Sequence, residues 1–283
     1  MNYENPPIIE LMVEIRWQYR PPAEAAGANA AVNSTLAGGG QFGSATSQEE
    51  FFMRFNQEIS RNNAGFQVER LVPQGFPLFP SQPVYRFREP SSDAAWKRLY
   101  QLGPGIFSAH ALPPNYQSWE EFRPFVRGGV LSLAKSRNES ERGENFSTVI
   151  LRYLDAFGAE LMGNRTAREF CEDVLGFRLQ VPPVLEKHAK DIAGVVPTIQ
   201  LAIPLKTEDN IFVTVTPTDT STERKILMDT MVATSSPAKA DDAETVDALM
   251  KNLDRCHELT KEVFQNVTGK IRPAMRPANG GVS

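Results

Sequence analysis

The stretch from Phe146 to Phe157, FSTVILRYLDAF, constrains the fold more than any other part of the chain. Successive side chains of an extended chain point to opposite faces, and both faces of this stretch are largely apolar. The pattern predicts a central strand that is covered on both sides. This strand also divides the 283 residues into two halves in which similar elements follow in a similar order.

The first half, residues 1–140, is predicted to form a strand, a helix, four strands and a long helix. Apolar and polar residues alternate from Ile9 to Trp17, which indicates a half-exposed strand. Capping boxes at Ser47 and Ser118 each open a helix. The second helix has Pro124 in its interior, so a kink or an irregular middle is expected there. The four strands are expected at residues 66–72, 84–88, 96–102 and 106–112, as an antiparallel meander. Residues 21–47 are rich in Ala, Gly, Asn and Ser and predict a flexible loop.

The second half, residues 141–271, repeats this order with one weak strand. A capping box at Thr166 starts a short helix that Gly176 ends. The strands are expected at residues 179–181, which is the weak one, and at 198–205, 211–216 and 226–234. An apolar stripe predicts a last helix over residues 242–267, and residues 272–283 are predicted to be a frayed tail.

Two halves of the order β-α-β4-α predict an α+β fold that arose by internal duplication. Each half is expected to be an antiparallel curved sheet packed on a long helix. This architecture resembles the saddle of TATA-binding-protein-like folds and the helix-grip folds. The element order carries the prediction, because the two halves share no residue-level identity.

Composition and motifs narrow the functional classes. The formal net charge of −4 argues against binding nucleic acid through phosphate neutralisation. The absence from the sequence of a long apolar run and of a signal peptide predicts a cytoplasmic protein that does not enter a membrane. No metal, nucleophile, phosphate-loop or dinucleotide motif is present, so no cofactor is predicted. Cys171 and Cys256 are expected to be reduced core thiols.

Three polar residues in apolar patterns are candidates for a site. His110 lies on a predicted strand and His257 on the inward stripe of the last helix, where each is either a ligand or proton-transfer group or a hydrogen-bonded core histidine. Arg152 lies in the most apolar strand and needs a counter-charge. An anionic ligand is one possibility, and a structural pair is the favoured one; the candidate partners are Glu10, Glu14 and Asp155.

Aromatic residues beside charged ones suggest a recognition surface. Arg16 and Trp17 end the first strand, and Tyr116 and Trp119 lead into the second long helix. Core packing of the aromatic rings, and a solvated strand face for Arg16, are the alternatives and are the favoured ones.

Several motifs together resemble a sporadically distributed bacterial protein family that has no characterised function. They are NPPIIE with VEIRW at residues 5–17, YQSWEEF at 116–122, LRYLD at 151–155, and the helix segment CHELTKEVF at 256–264. The resemblance spans nearly the whole chain. The chain departs from the family at Asp155, where Asn is expected, and in the length of the insert at residues 21–47.

The patterned fold without a catalytic signature favours a non-enzymatic cytoplasmic interaction protein. The patchy occurrence of the family implies a defence-cassette accessory, or an antitoxin-like partner of an effector encoded by a neighbouring gene. Strand-rich edges permit a homodimer. The alternative is a small-ligand binding protein or enzyme with a cavity between sheet and helix, using His110, Arg152 or His257.

Overall fold

The structure is a computed structural model of the chain. It describes residues 3–19, 45–62, 65–89, 98–112, 118–137, 145–178, 180–192, 195–207, 209–219, 224–234 and 242–276. Residues 21–44 of the predicted flexible loop, the candidate Tyr116 and residues 277–283 of the predicted tail lie outside these ranges.

Nine strands and several helices follow one another in the described residues. The strands are β1 (Ile8–Trp17), β2 (Gln67–Arg70), β3 (Tyr85–Arg88), β4 (Arg98–Gly103), β5 (Ile106–Ala111), β6 (Phe146–Phe157), β7 (Ile199–Pro204), β8 (Asn210–Asp219) and β9 (Arg224–Thr234). The helices are α1 (Ala45–Asn62), α2 (Trp119–Ser136), α3 (Ala159–Met162), α4 (Ala167–Glu169), α5 (Pro183–Glu186), α6 (Ala243–Val267) and α7 (Arg272–Met275). A π-helical turn, Phe170–Val174, continues α4, and a 3-10 turn, Gly269–Ile271, precedes α7.

The nine strands form one antiparallel sheet with the order β2-β3-β4-β5-β1-β6-β9-β8-β7. Strand β1 runs antiparallel to β6, because the Ala156 N–H donates to the Pro7 carbonyl and the Ser147 hydroxyl donates to the Arg16 carbonyl. The α+β class, the interior position of β6 and the β2–β5 meander are therefore as the sequence predicts.

Two segments of the second half differ from the prediction. Gln180 and Val181 belong to no strand, and the chain turns into α5 at Pro183 instead. Proline favours a helix start over a strand because it lacks the N–H that a ladder needs. The start of the predicted frayed tail is helix α7, whose Met275 is fully buried. The N–H groups of Glu4 and Asn5 bond to carbonyls at its end, which explains its order.

The chain divides into two compact units. Unit 1 comprises Met1–Leu11, Leu151–Ala233 and Arg255–Ser283, and unit 2 comprises Met12–Ile150 and Thr234–Asp254. In unit 1 the capping box at Thr166 is formed as predicted, and Phe170 of the π-helical turn packs on Phe157 with ring centroids 5.2 Å apart. This aromatic contact holds the turn against the end of β6.

The core of unit 2 is aromatic. Helix α1 buries the face predicted from its sequence, Phe51, Phe52, Phe55 and Ile59. It begins at Ala45, two residues before Ser47, so the predicted N-cap lies within its first turn. The Phe55 ring lies 5.1–5.8 Å from those of three strand residues, Phe87, Tyr100 and Phe107. Each buried ring contributes roughly 2–3 kcal/mol of transfer free energy, so this cluster organises the unit.

Helix α2 covers the same core. The Ser118 hydroxyl accepts a hydrogen bond from the Glu121 N–H, which confirms the predicted N-cap. The helix runs without interruption through Pro124 to Ser136, although the sequence predicts an irregular middle. At Gly129 a Cβ would lie 2.5 Å from a ring carbon of Tyr100, so glycine allows the helix to approach the sheet closely here.

Candidate functional site

Arg152 forms a structural ion pair. Its Nε and Nη2 donate to the two carboxylate oxygens of Asp229 on β9, over 2.8 Å and 2.5 Å. The favoured structural pairing is therefore formed, and Asp229 is a partner that the sequence analysis did not name. Asp229 follows Arg152 by 77 residues, so only the strand order brings the two together.

Asp155 is the buried acid of β6. Its side chain lies on the opposite face of the strand from Arg152, and the residue is only 3% exposed. Burial, with a smaller contribution from the negative charge of Asp229, raises the pKa of Asp155 to about 8. The carboxyl group is thus mainly protonated at neutral pH. In that form the carboxyl group offers an O–H donor as well as acceptor lone pairs.

His257 of α6 is a hydrogen-bonded core histidine. Its Nδ1 lies 2.7 Å from the Tyr153 hydroxyl, and the residue is 9% exposed. Tyr153 follows Arg152 directly on β6, so Arg152 and His257 interact with opposite faces of the same strand. They do not form a common site.

Unit 2 contains the other candidates. His110 is buried, and its Nε2 is hydrogen-bonded to Ser108 over 2.8 Å. Arg16 donates from Nε to Glu14 over 2.6 Å and remains half exposed. Trp17 is buried. Its ring contacts those of Phe51 and Phe146 and the guanidinium of Arg137.

Trp119 is a helix–helix contact within unit 2. Its indole N–H donates to Asp254 of α6 over 2.9 Å, and Arg123 binds both carboxylate oxygens of the same residue. One turn further along α2, Arg127 pairs with Asp247. Trp119 is 4% exposed, so it stabilises the packing of α2 on α6 and is not part of an exposed recognition surface.

A cavity of about 230 Å³ lies between sheet and helices in unit 2. Strand β4 provides one wall, helix α2 the other, and α1 closes one side. The lining residues are Ile59, Phe66, Arg98, Tyr100, Pro124, Phe125, Gly128 and Ser132. None of the residues proposed from the sequence lines it.

Tyr100 forms the aromatic centre of the cavity wall. Its ring is stacked on Phe125 with centroids 4.1 Å apart and planes 4° apart, and it stacks on Phe66 at 5.7 Å. Its hydroxyl donates to the Phe125 carbonyl over 2.7 Å. Burial raises the pKa of this phenol far above its usual value, so it is neutral at all physiological pH values.

Arg98 brings a charge to the cavity that is already compensated. Two guanidinium nitrogens donate to the carboxylate of Glu89 over 2.7 Å and 2.6 Å, and the group lies 4.7 Å above the centroid of the Phe125 ring. A bidentate pair of this kind has no net charge. The cavity therefore has aromatic walls and a neutral, polar rim.

A second feature of unit 2 is an apolar loop, residues 73–80, between β2 and β3. Phe76 and Phe79 on this loop are 61% and 52% exposed. The chain from Leu71 to Val84 contains no charged residue and four prolines. Large aromatic side chains exposed in this way are unusual on a monomer surface and mark binding surfaces.

Hydrogen bonds and turns brace the apolar loop. The Phe76 N–H donates to the Pro73 carbonyl over 3.2 Å, and the Ser81 N–H donates to the Pro104 carbonyl over 2.7 Å. The residue pair that follows the loop packs directly on the end of β4, where a Cβ at Gly103 would lie only 1.9 Å from the Gln82 carbonyl oxygen. The loop thus presents its two rings from a hydrogen-bonded backbone.

In the described residues no cluster of His, Cys, Asp and Glu could hold a metal ion. No helix in the described part of the chain has the length and apolarity to cross a membrane. Both cysteines are free and buried, as predicted, and burial raises their thiol pKa values to about 11. Such thiols are poor nucleophiles at neutral pH.

No protein-family model, curated protein or solved structure matches the chain. Sequence reasoning considered a cavity between sheet and helix but named none of the residues that line this one. It missed the apolar loop altogether. Two signals were nevertheless present. One is the glycine pair at residues 128–129 inside a helix, and the other is a charge-free, proline-rich stretch that contains Phe76 and Phe79.

Proposed function

We propose that the protein is a non-enzymatic interaction protein that binds a protein partner through the apolar loop. The observation that carries this proposal is the exposure of Phe76 and Phe79 on a braced backbone. A partner that covers both rings removes roughly 100 Å² of apolar surface from water at each, or roughly 2–3 kcal/mol per ring. The loop is already ordered, so little of this is lost to ordering entropy.

The chemistry of the loop defines the partner. Interface centres are depleted of charge and enriched in aromatic residues, and the stretch from Leu71 to Val84 has this composition. The partner surface should therefore be an apolar cleft that accepts two aromatic rings, with few charges at its centre. An anionic membrane is the less suitable target, because the loop offers no Lys or Arg to pair with lipid phosphates.

The test compares partner capture by two variants of the full chain. Phe76→Ser with Phe79→Ser removes both rings. Val184→Ser with Val196→Ser is the matched control, because these unit 1 residues are 62% and 64% exposed. Each tagged protein is used to capture partners from the native host, and a stoichiometric partner is then purified and titrated. The Phe variant should weaken its binding about 30-fold or more, and the control should bind as wild type.

Three results would contradict the proposal. One is that no stoichiometric partner is captured. Another is a partner that binds the Phe variant as tightly as wild type. The third is binding of the wild type, and not of the Phe variant, to neutral phosphatidylcholine vesicles, which would assign the loop to a lipid surface. Circular dichroism and thermal melts of all variants establish that they are folded.

We also propose a cellular location, a gene context for the partner, an oligomeric state and an evolutionary origin for the fold. The family resemblance supports a cytoplasmic partner encoded by a neighbouring gene, as in a defence cassette or an antitoxin-like pair. The terminal strands β2 and β7 of the sheet permit a homodimer. The strand order supports an internal duplication, because β1 is followed outward by β5, β4 and β3, and β6 by β9, β8 and β7. Native mass spectrometry of the gently purified protein tests partner and dimer together.

A second candidate function is binding of a small ligand between sheet and helix. The cavity beside Tyr100 and Phe125 is the specific observation that favours it. Arg152, His110 and His257, the residues first considered for this role, are not among its lining residues. Their replacement should therefore leave ligand binding at this cavity unchanged.

A further inference from the structure

We propose that the unit 2 cavity binds a small, neutral, planar aromatic or heteroaromatic molecule, which packs against the lining side chains of Phe66, Tyr100 and Phe125. The inference deepens the second candidate function above and is independent of the apolar loop. Either one can fail while the other stands.

The size of the cavity limits the ligand. Sites for drug-sized molecules have volumes of about 300–1,000 Å³, whereas this cavity has about 230 Å³. It therefore has room for one ring or a fused pair of rings, and not for a dinucleotide or a lipid chain. The aromatic residues on its wall favour a flat molecule, because edge-to-face contacts between aromatic rings add attraction beyond the area that they bury.

The electrostatics of the cavity favour a ligand that carries no charge. The guanidinium of Arg98 is bound by both carboxylate oxygens of Glu89, and the Tyr100 phenol keeps its proton. An anion would have to compete with Glu89, and a cation would meet Arg98. The polar lining groups, with the hydroxyl of Ser132, can exchange hydrogen bonds with a ring nitrogen or carbonyl without a charge.

Gly128 is the lining residue at which a side chain can be added to the cavity without disturbing the surrounding packing. Gly129 beside it is required for packing, because a Cβ there would lie 2.5 Å from Tyr100. At Gly128, by contrast, a Cβ would meet only the Tyr100 hydroxyl oxygen at 4.0 Å, which is an ordinary contact. Glycine inside a helix is destabilising relative to alanine. The packing around Gly128 does not require glycine, yet the residue keeps the cavity open.

Gly128 therefore permits a test in which folding and binding change in opposite directions. Gly128→Ala should raise the melting temperature by about 2–4 °C and weaken ligand binding about tenfold. Gly128→Met should fill the cavity and abolish binding. Gly158→Ala is the matched control: that glycine lies in unit 1 at φ −78°, and nothing lies within 4 Å of an added Cβ.

The probes are indole and adenine, with cyclohexanol, indole-3-acetate and N-acetyl-tryptophanamide as comparisons, all measured by ligand-observed NMR on the full chain. We expect indole or adenine to bind saturably with a dissociation constant of about 1 mM or tighter. Cyclohexanol and indole-3-acetate should bind at least tenfold more weakly. Binding should be lost in Gly128→Met and kept in Gly158→Ala.

The inference is overturned if neither indole nor adenine binds, if cyclohexanol binds equally well, or if binding survives Gly128→Met in a folded protein. If N-acetyl-tryptophanamide binds more tightly than indole, the proposal of a free small molecule as the ligand is overturned. The cavity would then be the binding site for an aromatic side chain of a partner. A failure of indole binding together with intact partner capture by the apolar loop would remove this inference alone.

Discussion

The polar side chains around β6 in unit 1 and the aromatic cavity of unit 2 use their residues in opposite ways. Three polar side chains of β6 are each paired or neutral: Arg152 binds Asp229, Tyr153 is hydrogen-bonded to His257, and Asp155 keeps its proton. In unit 2 apolar rings pack tightly around Tyr100 and still leave a space of about 230 Å³. The polar residues that look functional are thus structural, and the open site is built from residues that look like core.

The difference has a physical origin. A buried charge or hydrogen-bonding group is costly unless it is satisfied, so an apolar strand that carries one usually provides a partner as well. An unfilled apolar space has its own cost, because its lining loses dispersion contacts. A polar residue in a core is therefore weak support for a ligand, whereas an open space beside a helix glycine is stronger support.

The largest expected effect tests whether Asp155 is neutral. Asp155→Asn should stabilise the protein at pH 7 by on the order of 2–4 kcal/mol. The folded state holds the proton up to a pKa of about 8, while the unfolded chain releases it near pH 4. Stability of the wild type therefore falls, relative to the variant, as the pH rises from about 4 to about 8, and the difference is constant above that. Urea unfolding of both proteins at pH 5, 7 and 9 measures it.

Asp247→Asn is the control of opposite sign. Asp247 lies on the surface of α6 and pairs with Arg127, which holds its pKa below the usual value. Loss of that charge should give no stabilisation at any pH above about 4, because the folded state favours its ionised form. A flat difference between wild type and Asp155→Asn from pH 5 to pH 9 would mean that Asp155 is ionised in the fold.

The next effect tests the packing that borders the cavity. Gly129→Ala should destabilise unit 2 by about 1–3 kcal/mol, since its Cβ would lie 2.5 Å from a Tyr100 carbon and 2.8 Å from a Phe107 carbon. Neither ring can move freely, because Tyr100 is held by Phe125 and by its hydrogen bond. Gly128→Ala, one residue away, should be more stable than wild type. Equal melting temperatures of the two variants would show that the rings yield.

Sequence reasoning predicted the elements better than their partners. Periodicity placed β1, β6 and the buried face of α1 correctly because it reports local alternation, and the cap at Ser118 is local too. It could not predict that Arg152 meets Asp229, because that contact depends on which strands become neighbours. The same limit applies to Trp119 and Asp254, which are 135 residues apart.

The lining of the cavity and the exposure of the apolar loop could not be predicted for a different reason. Phe66, Tyr100 and Phe125 have the pattern of core residues, and most of their surface is indeed packed. Whether packed rings leave a space depends on rotamers and helix distance, which sequence periods do not report. Phe76 lies in a segment that has no hydrophobic periodicity, so its exposure can be recognised only from the three-dimensional structure.

The smallest effect concerns Arg152 and sharpens the comparison within β6. Arg152→Ala should cost about 1 kcal/mol or less at pH 7, because the pair with Asp229 is partly exposed and screened by solvent. An anion-binding arginine would instead be replaced at no cost to stability in the absence of its ligand. Urea unfolding at two salt concentrations measures this cost, which should fall as salt is raised.

A double-mutant cycle separates the pair from Asp155. Asp229 is the charge that acts on Asp155, and Arg152 is the group that compensates Asp229. At pH 6 Asp155 carries no charge, so Arg152→Ala should cost the same in the wild type and in Asp155→Asn, within about 0.5 kcal/mol. Above pH 8 Asp155 ionises, and the cost should become larger in the wild type alone. Coupling already present at pH 6 would mean that Arg152 contacts an ionised Asp155. The description of Arg152 and Asp229 as a pair that is separate from a neutral Asp155 would then be wrong.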